Sequence, residues 1–401
     1  MICPQTFVYA CKRLLAIAGA CLVSNVVCAQ PAPEPSNRPP AALAEERSAL
    51  PKLSQADADA IPGIGEPREK PSVRFGGFLD ALPAYTYASP SHWSRAVVRV
   101  QLTAQGELAD QVKWKLGARV DADPVYYSSN FYPDPVKRNQ RLDVFYRENY
   151  LDFSAGDWDF RLGAQQIVWG EVVGLFFADV VSAKDDREFL LPSFDIIRIP
   201  QGAARAEYTA GDSHVELVWI PIPVFDKIGK PGADFYPAPL PSLTAAQAAA
   251  LFQTPVTPSR RLSNSNYGVR ANTLAAGWDL AAFYYRSFST TPTFYRLPSG
   301  IVEQPFTFEP RYDRIWQIGG TLGKELNDVV LRAETVYTHG QGYSVTDPSA
   351  PQGVAVRSTL DYIVSAEFVL PHDIQRVFFG GGGGDIAIKG DGFGASIFVS
   401  T

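Results

Sequence analysis

From residue 72 onward the chain alternates repeatedly between apolar and polar positions with a period of two. Val112, Trp114, Leu116, Ala118 and Val120 share one parity, and Lys113, Lys115, Gly117, Arg119 and Asp121 share the other. Ala96, Val98, Val100, Leu102 and Ala104 alternate with Arg95, Arg99, Gln101, Thr103 and Gln105. Leu331, Ala333, Thr335 and Tyr337 alternate with Arg332 and Glu334, and Leu360, Tyr362, Val364, Ala366 and Phe368 with Asp361, Ser365 and Glu367. A period of two sends neighbouring side chains to opposite faces of a sheet. Repeated strands with one apolar and one charged face fit an all-β chain, a transmembrane antiparallel β-barrel with lipid outside and water inside.

The pattern predicts about fourteen strands, near 72–87, 94–107, 110–123, 140–153, 157–169, 201–210, 213–222, 265–275, 277–288, 312–323, 327–339, 357–370, 374–380 and 392–400. Many are long enough to cross a bilayer at a steep tilt. Ala155-Gly156-Asp157, Gly211-Asp212 and Ala275-Ala276-Gly277 read as tight turns, so the strands they join are antiparallel hairpins. Longer excursions lie at 123–139, 223–262, 289–311 and 340–356. Short turns at one end and long loops at the other are the barrel layout. In 140–153, Leu142, Val144 and Tyr146 keep phase while Leu151 and Phe153 fall on the other parity, which predicts a β-bulge between them.

The stretch 170–199, after the fifth strand, breaks the rhythm. It is too charged for a lipid-facing strand and too apolar for a solvated loop, so it is expected to fold inward and narrow the lumen. Trp169, Glu171, Phe176, Phe177, Asp179, Asp185, Asp186, Arg187 and Glu188 are the candidate constriction. The stretch 241–252 reads as a short helix inside a long loop. The five glycines at 380–384 have neither the Lys-Ser/Thr of a phosphate loop nor a dinucleotide-binding pattern, and read as a flexible hairpin connection.

Composition fits this picture. Aromatic residues make up 12% of the chain, as the interface belts of a barrel require. The net charge of −6 lacks the basic stripe of a nucleic-acid binder. Residues 1–29 read as an export signal: Lys12 and Arg13 precede an apolar run at 14–27, and Val27-Cys28-Ala29 has the small −3/−1 pattern for cleavage before Gln30. An uncleaved anchor and lipidation at Cys21 are the alternatives. All four cysteines lie in this prefix, so the expected mature chain has no disulfide, thiolate nucleophile or cysteine metal site. Residues 30–71, rich in Pro and Ala, are expected to be a flexible periplasmic extension, with entry of part of it into the lumen left open. Beyond the signal no stretch approaches the length of a membrane helix. The barrel is thus expected over 72–401.

The run Phe160-Arg161-Leu162-Gly163-Ala164-Gln165-Gln166-Ile167-Val168-Trp169-Gly170, followed by Gly174, Asp179, Asp185 and Leu190-Leu191-Pro192, resembles the DUF1302 family of proteobacterial outer-membrane proteins. The match in order and spacing spans about 72–370. The resemblance implies an outer-membrane barrel similar in kind to porins, without a known substrate. Such barrels usually end in a strand with a terminal aromatic, whereas Phe398 stands three residues before Thr401, and relatives tend to be longer. Fourteen strands are expected in the chain as it stands, and sixteen if the native chain runs on, so closure of the barrel is left open.

Candidate chemistry is sparse. The four histidines, His92, His214, His339 and His372, form no HExxH motif and no pair at metal-ligand spacing, so no metal or cofactor is expected. No G-x-S-x-G elbow occurs, and no catalytic group is assigned. Asp185-Asp186-Arg187-Glu188 fits a charged constriction best, with a plain solvated loop as the alternative, and fits a carboxylate acid–base pair least, because the arginine keeps the acids ionised. The inward parities place Arg99, Lys113, Lys115, Arg119, Arg161, Arg205, Glu207, Arg332, Glu334, Asp361 and Glu367 on a lumen wall of mixed charge. The expectation is a porin-like channel in the Gram-negative outer membrane for small, partly apolar solutes. Its expected partners are membrane lipid and lipopolysaccharide, the insertion machinery and the solutes, with no nucleic acid and no assigned oligomeric state. The alternatives are a non-conducting scaffold or adhesin using the loops at 223–262, 289–311 and 340–356, a hydrolase using His214 or His339, and a soluble β-sandwich.

Overall fold

Backbone that crosses hydrocarbon must satisfy its own N–H and C=O groups, which restricts spanning structures to helices and sheets closed by hydrogen bonds. The computed structural model describes residues 73–109, 112–172, 176–189, 193–237, 250–300, 305–326, 329–347, 349–369 and 392–400. The side chains of 109, 367–369 and 392–400 lie outside that description. The strands are β1 (Val73–Thr86), β2 (His92–Ala109), β3 (Val112–Ala122), β4 (Leu142–Tyr146), β5 (Asn149–Ala155), β6 (Trp158–Gln165), β7 (Ala183–Asp186), β8 (Arg198–Ile199), β9 (Gln201–Ala210) and β10 (Ser213–Ile220). They continue as β11 (Lys227–Ile228), β12 (Asn266–Ala275), β13 (Trp278–Phe288), β14 (Thr293–Pro298), β15 (Phe306–Arg311), β16 (Arg314–Leu326), β17 (Val329–Ser344), β18 (Val354–Val369) and β19 (Gly392–Ser400). Short helices are α1 (Val125–Ser128), α2 (Asp134–Gln140) and α3 (Phe194–Ile197).

One antiparallel sheet of fourteen strands dominates, in the order β1-β2-β3-β5-β6-β9-β10-β12-β13-β16-β17-β18-β19, with β4 also on β3. Strands follow chain order apart from the elements that leave the sheet, as hairpin connections dictate. β4 and β5 share one place beside β3, so the path counts thirteen places and its two edge strands run in the same direction. Among the described residues no pairing joins β1 to β19.

The register aligns the two parities into continuous bands. Leu79, Val100, Val120 and Val144 are successive partners on one face. Leu217, Val269, Tyr284, Ile318, Tyr337 and Leu360 continue that face across six strands. Most of these side chains are exposed. The aromatics gather at both ends of the band: Phe153, Trp158, Phe160 and Tyr208 near the short turns, and Tyr85, Trp93, Trp219, Tyr267 and Trp316 toward the long connections. This is the arrangement lipid interfaces select. On the other face Asp80, Arg99, Asp121 and Asp143 are successive partners, as are Asp159, Glu207, Glu216 and Arg270.

The phase break in the fourth predicted strand is a real interruption. Tyr146 pairs with Ala118, and Leu151 pairs with Trp114, so both side chains lie on the apolar face despite opposite parity. Arg147 and Glu148 form the step between β4 and β5.

Several connections carry more structure than the sequence pattern shows. The excursion at 123–139 holds α1 and α2. The one at 289–311 holds the hairpin β14–β15, paired from Thr293↔Arg311 to Pro298↔Phe306. β17 and β18 run on to Ser344 and back from Val354, so the excursion expected at 340–356 shrinks to its tip. The fifth strand stops at Gln165 and does not reach Trp169. β18 pairs directly with β19 from Asp361↔Ser400 to Val369↔Gly392, and the strand expected at 374–380 falls in the stretch that joins them. That segment, the glycine run 380–384, most of 241–252, the signal 1–29 and the extension 30–71 lie outside the described residues.

The two faces predict opposite responses to charge. Val100→Arg on the apolar face should cost about 2–4 kcal/mol of folding free energy into lipid vesicles. Gln101→Arg, one residue on and facing the other way, should cost far less. Urea titration of vesicle-folded protein measures both.

Candidate functional site

The charged face is not empty. After Gln165 the chain leaves the sheet, crosses that face and returns to it at β9. Gln165 is fully buried, and its amide donates to the carbonyls of Ala203 and Arg161, both at 3.2 Å. Ile167, Trp169, Ala178 and Val181 then form one buried cluster with Ala203, Val218, Ile220, Phe283, Tyr285 and Val336. The first four come from the departing segment, and the last six lie on β9, β10, β13 and β17. The departing segment is therefore packed against the charged face of the sheet. Trp169 is fully buried, with its ring 5.2 Å from that of Phe283 and 5.6 Å from that of Tyr285. Gly268 makes room for it: a Cβ there would come within 2.8 Å of the Trp169 ring.

Polar contacts fix the segment in place. Trp169 Nε1–H donates to Glu216 Oε1 at 2.9 Å. Glu334, only 3% exposed, accepts three backbone N–H groups: those of Glu171 and Val172 on Oε1 and that of Ala178 on Oε2 at 2.8 Å. Glu171 Oε1 accepts from Arg270 at 2.9 Å and from Thr321 Oγ1 at 2.6 Å. A buried carboxylate is costly unless its lone pairs are used, and three charge-assisted bonds use them.

Further along, Arg198 pairs with Asp179 at 2.7 Å. Phe176 lies under the cations of Lys184 and Arg198, at 5.1 and 5.2 Å, and edge-on to Phe194 at 4.8 Å. Arg187 bridges Asp185 of its own strand end and Asp143 of β4, and Lys227 also reaches Asp143. Glu188 pairs with Arg95 of β2 at 2.5 Å. Arg119 of β3 donates to the Ile196 carbonyl at 2.7 Å, and Arg147 donates to the carbonyls of Arg198 and Asp195. The segment is thus tied to both halves of the sheet.

Burial and neighbours set the charge states. Burial works to raise the Asp185 carboxyl, but the adjoining Arg187 guanidinium outweighs it and holds the group below the usual carboxylate range. Asp186 has no such partner. Burial, with Asp226 and Asp185 nearby, pushes it up to about 6 against the pull of Lys184. Burial also raises Glu188, opposed by Arg95 and Arg187.

Of the residues singled out from the sequence, Glu171, Phe176, Phe177, Asp179, Asp185, Asp186, Arg187 and Glu188 all lie on the inner segment, on the charged side of the sheet. Trp169 lies at its buried root. Arg99 bridges Asp80 and Asp121, at 3.1 and 3.2 Å, and Arg119 pairs with Asp121 at 3.0 Å. Lys115 pairs with Glu148, Arg161 with Asp152 at 2.6 Å, and Arg205 with Glu207. Lys113 lines a cavity of about 320 Å³ with Arg161, Arg205 and Glu207. Arg332 and Asp361 share the parity of Glu334 and Val336 on the same face. Glu367 falls on β18 opposite Val330, with its side chain outside the described residues.

The inner segment leaves spaces on either side. Toward β1–β3 a cavity of about 200 Å³ is lined by Arg95, Arg99, Arg119, Arg187, Asp121, Asp185 and Glu188. Toward β13–β18 a space of about 450 Å³ has Phe176 and Phe177 on one side and Ser287, Thr291, Thr293, Gln317, Thr338 and Gln341 among its other walls.

Sequence reasoning gave no anchoring role to Gln165 or Glu216 and did not single out Arg147, Asp226 or Gly268. Asp226 accepts the Lys184 N–H at 2.8 Å and the Thr291 hydroxyl at 2.6 Å. One signal was available: Val218, Phe283, Tyr285 and Val336 are apolar at positions whose parity is otherwise charged, and these mark where the segment packs.

An apolar band between aromatic girdles, backed by a charged face, defines the outer-membrane β-barrel class. The chain belongs to the family described as "Protein of unknown function (DUF1302)", whose pattern matches residues 94–370, and its place is the Gram-negative outer membrane. No curated protein matches the chain. Among solved structures it is similar to OmpT of Vibrio cholerae in its in-vitro folded trimer form, at 10% identity and a TM-score of 0.37, covering 75% of this chain and 73% of that one. It is similar to Salmonella typhi OmpF in complex with daunomycin, at 11% identity and a TM-score of 0.38, covering 74% of each chain. It is also similar to an anion-selective porin from Comamonas acidovorans, at 10% identity and a TM-score of 0.34, covering 75% of this chain and 74% of that one. These overlaps are too loose to carry any residue's role across.

Two outcomes follow from the anchoring and the charge states. Glu334→Leu strands three N–H groups, and amide exchange at Glu171, Val172 and Ala178 should quicken at least about tenfold, the equivalent of one lost charge-assisted bond. Mass-spectrometric hydrogen exchange reads this directly. Asp186, with its folded-state value raised, adds stability that is complete below the ordinary aspartate range and is lost as pH rises through about 6. Asp186→Asn should therefore unfold later than the parent at pH 8 and together with it at pH 3.5; an equal difference at both would contradict the assignment.

Proposed function

We propose that the sheet closes around its inner segment and that the resulting lumen passes small solutes across the outer membrane. The observation that carries this reading is the pairing of an open apolar outer face with a charged inner face, the latter crossed by a packed segment with space left on both sides. Water and ions tolerate a wall of paired charges, and lipid tolerates the other face. The inner segment is the constriction. Glu171, Phe176, Phe177, Asp179, Asp185, Asp186, Arg187 and Glu188 set its charge and shape, and Trp169 serves as its anchor. No bond is made or broken in this function, and selectivity comes from size and from wall charge.

The two spaces suggest two kinds of passage. The smaller one carries guanidinium groups facing carboxylates, which suits water and small ions. The larger one sets aromatic rings opposite hydroxyls and amides, with Asp179, Lys184 and Asp361 also on its walls, which suits a polar solute with one apolar side.

Planar-bilayer conductance tests the reading. The detergent-folded chain should give stable steps, and replacing 171–197 by a Gly/Ser linker should enlarge them severalfold. Absence of steps in both forms would overturn the channel and favour a scaffold that displays its long connections.

A further inference from the structure

Beside the buried root of the inner segment, three ligand-type side chains converge on the inner wall. β9 and β10 are joined by Gly211-Asp212, and the register sets Glu207 opposite Glu216 and Thr209 opposite His214. Two carboxylates directly opposed on neighbouring strands repel each other. Each has one oxygen engaged, Glu207 Oε1 by Arg205 and Glu216 Oε1 by the Trp169 indole at 2.9 Å. His214 Nε2 stands 3.8 Å from Glu207 Oε2, too far for a hydrogen bond. The other ring nitrogen, Nδ1, lies 3.2 Å from Thr209 Oγ1. With Nδ1–H donating to that hydroxyl, the ring is oriented and Nε2 turns its lone pair to the carboxylates, as an outer partner does for a metal-bound histidine.

One ligating atom from each of Glu207, His214 and Glu216 lies within 4.8 Å of the other two. Two ligands bound tetrahedrally to one zinc ion at about 2.0–2.2 Å stand about 3.4 Å apart, so the 3.8 Å His214–Glu207 gap closes with a few tenths of an ångström, and drawing all three atoms in from within 4.8 Å takes side-chain rotation of up to about 1.4 Å. One imidazole and two carboxylates suit a borderline cation better than calcium or magnesium, which prefer all-oxygen sites.

We propose that Glu207, His214 and Glu216 bind one divalent cation of the zinc type, with a position left for water. The site stands on the wall whether or not the lumen conducts. A cation there removes the repulsion between the two carboxylates and fixes Glu216, the acceptor for Trp169. It thereby stiffens the anchor of the inner segment.

The test uses the untagged full chain folded in detergent and dialysed against Zn²⁺. One zinc per chain should be retained, and the zinc-edge X-ray absorption should show a single imidazole among oxygen donors. His214→Ala and Glu216→Gln should each weaken binding at least about tenfold, with folding checked by circular dichroism. His92→Ala should leave it unchanged, since that ring is held by Asp234 at 2.9 Å, away from the cluster. Failure to retain zinc, an absorption spectrum without imidazole, or affinity indifferent to His214→Ala would each overturn the proposal. The spectrum of the parent protein decides the matter even if a variant fails to fold.

Discussion

A single buried carboxylate holds the interior together. Glu334 projects from β17 and gathers the N–H groups of Glu171, Val172 and Ala178 where the chain lies against the charged face of the sheet. An unpaired amide in a dry interior is costly, and so is an unpaired carboxylate; each cancels the cost of the other. Around this junction Trp169 is seated on Phe283 and Tyr285, and Glu171 is clamped by Arg270 and Thr321. Glu334 acts together with the apolar cluster around Trp169 and with the ion pairs Glu188–Arg95 and Arg187–Asp143, which tie the same segment to other strands.

The same junction explains why the inner face is not uniformly polar. Val218, Phe283, Tyr285 and Val336 interrupt the charges where the segment lies, and the charges resume where it does not. Most inner cations are matched to an acid on the same strand, on a neighbouring strand or on the segment, so the wall is held by local pairs and not by net charge. Such pairs are compatible with water, which is what the proposed channel needs.

The sheet was legible because its period is local. Alternation over 94–107 or 110–123 needs only nearest neighbours, and the outer face has to be apolar everywhere it meets lipid. The phase break at 140–153 was legible for the same reason, and it corresponds to the step at Arg147–Glu148. That the chain leaves the sheet after its fifth strand could be read from the composition of 170–199. Its anchors could not, since Glu334 lies 163 positions from the Glu171 N–H it accepts and no local pattern marks the pair. The hairpin β14–β15 was hidden inside a connection because its pairing lies off the main sheet. The Glu207–Glu216 pairing was implicit in the two-residue turn at Gly211-Asp212, which fixes the register by counting outward, but metal-ligand spacing sought along one strand does not reveal partners across two.

The central claim is that one parity of each wall strand faces lipid and the other faces an interior occupied by the inner segment. A nitroxide scan of single cysteines at 97–105 in vesicle-embedded protein tests it, because the only native cysteines lie at positions 3, 11, 21 and 28. The account predicts that collision with oxygen, which concentrates in lipid, peaks at 98, 100, 102 and 104 and falls at 97, 99, 101 and 103. Accessibility with no period of two, or with the parities reversed, would contradict it.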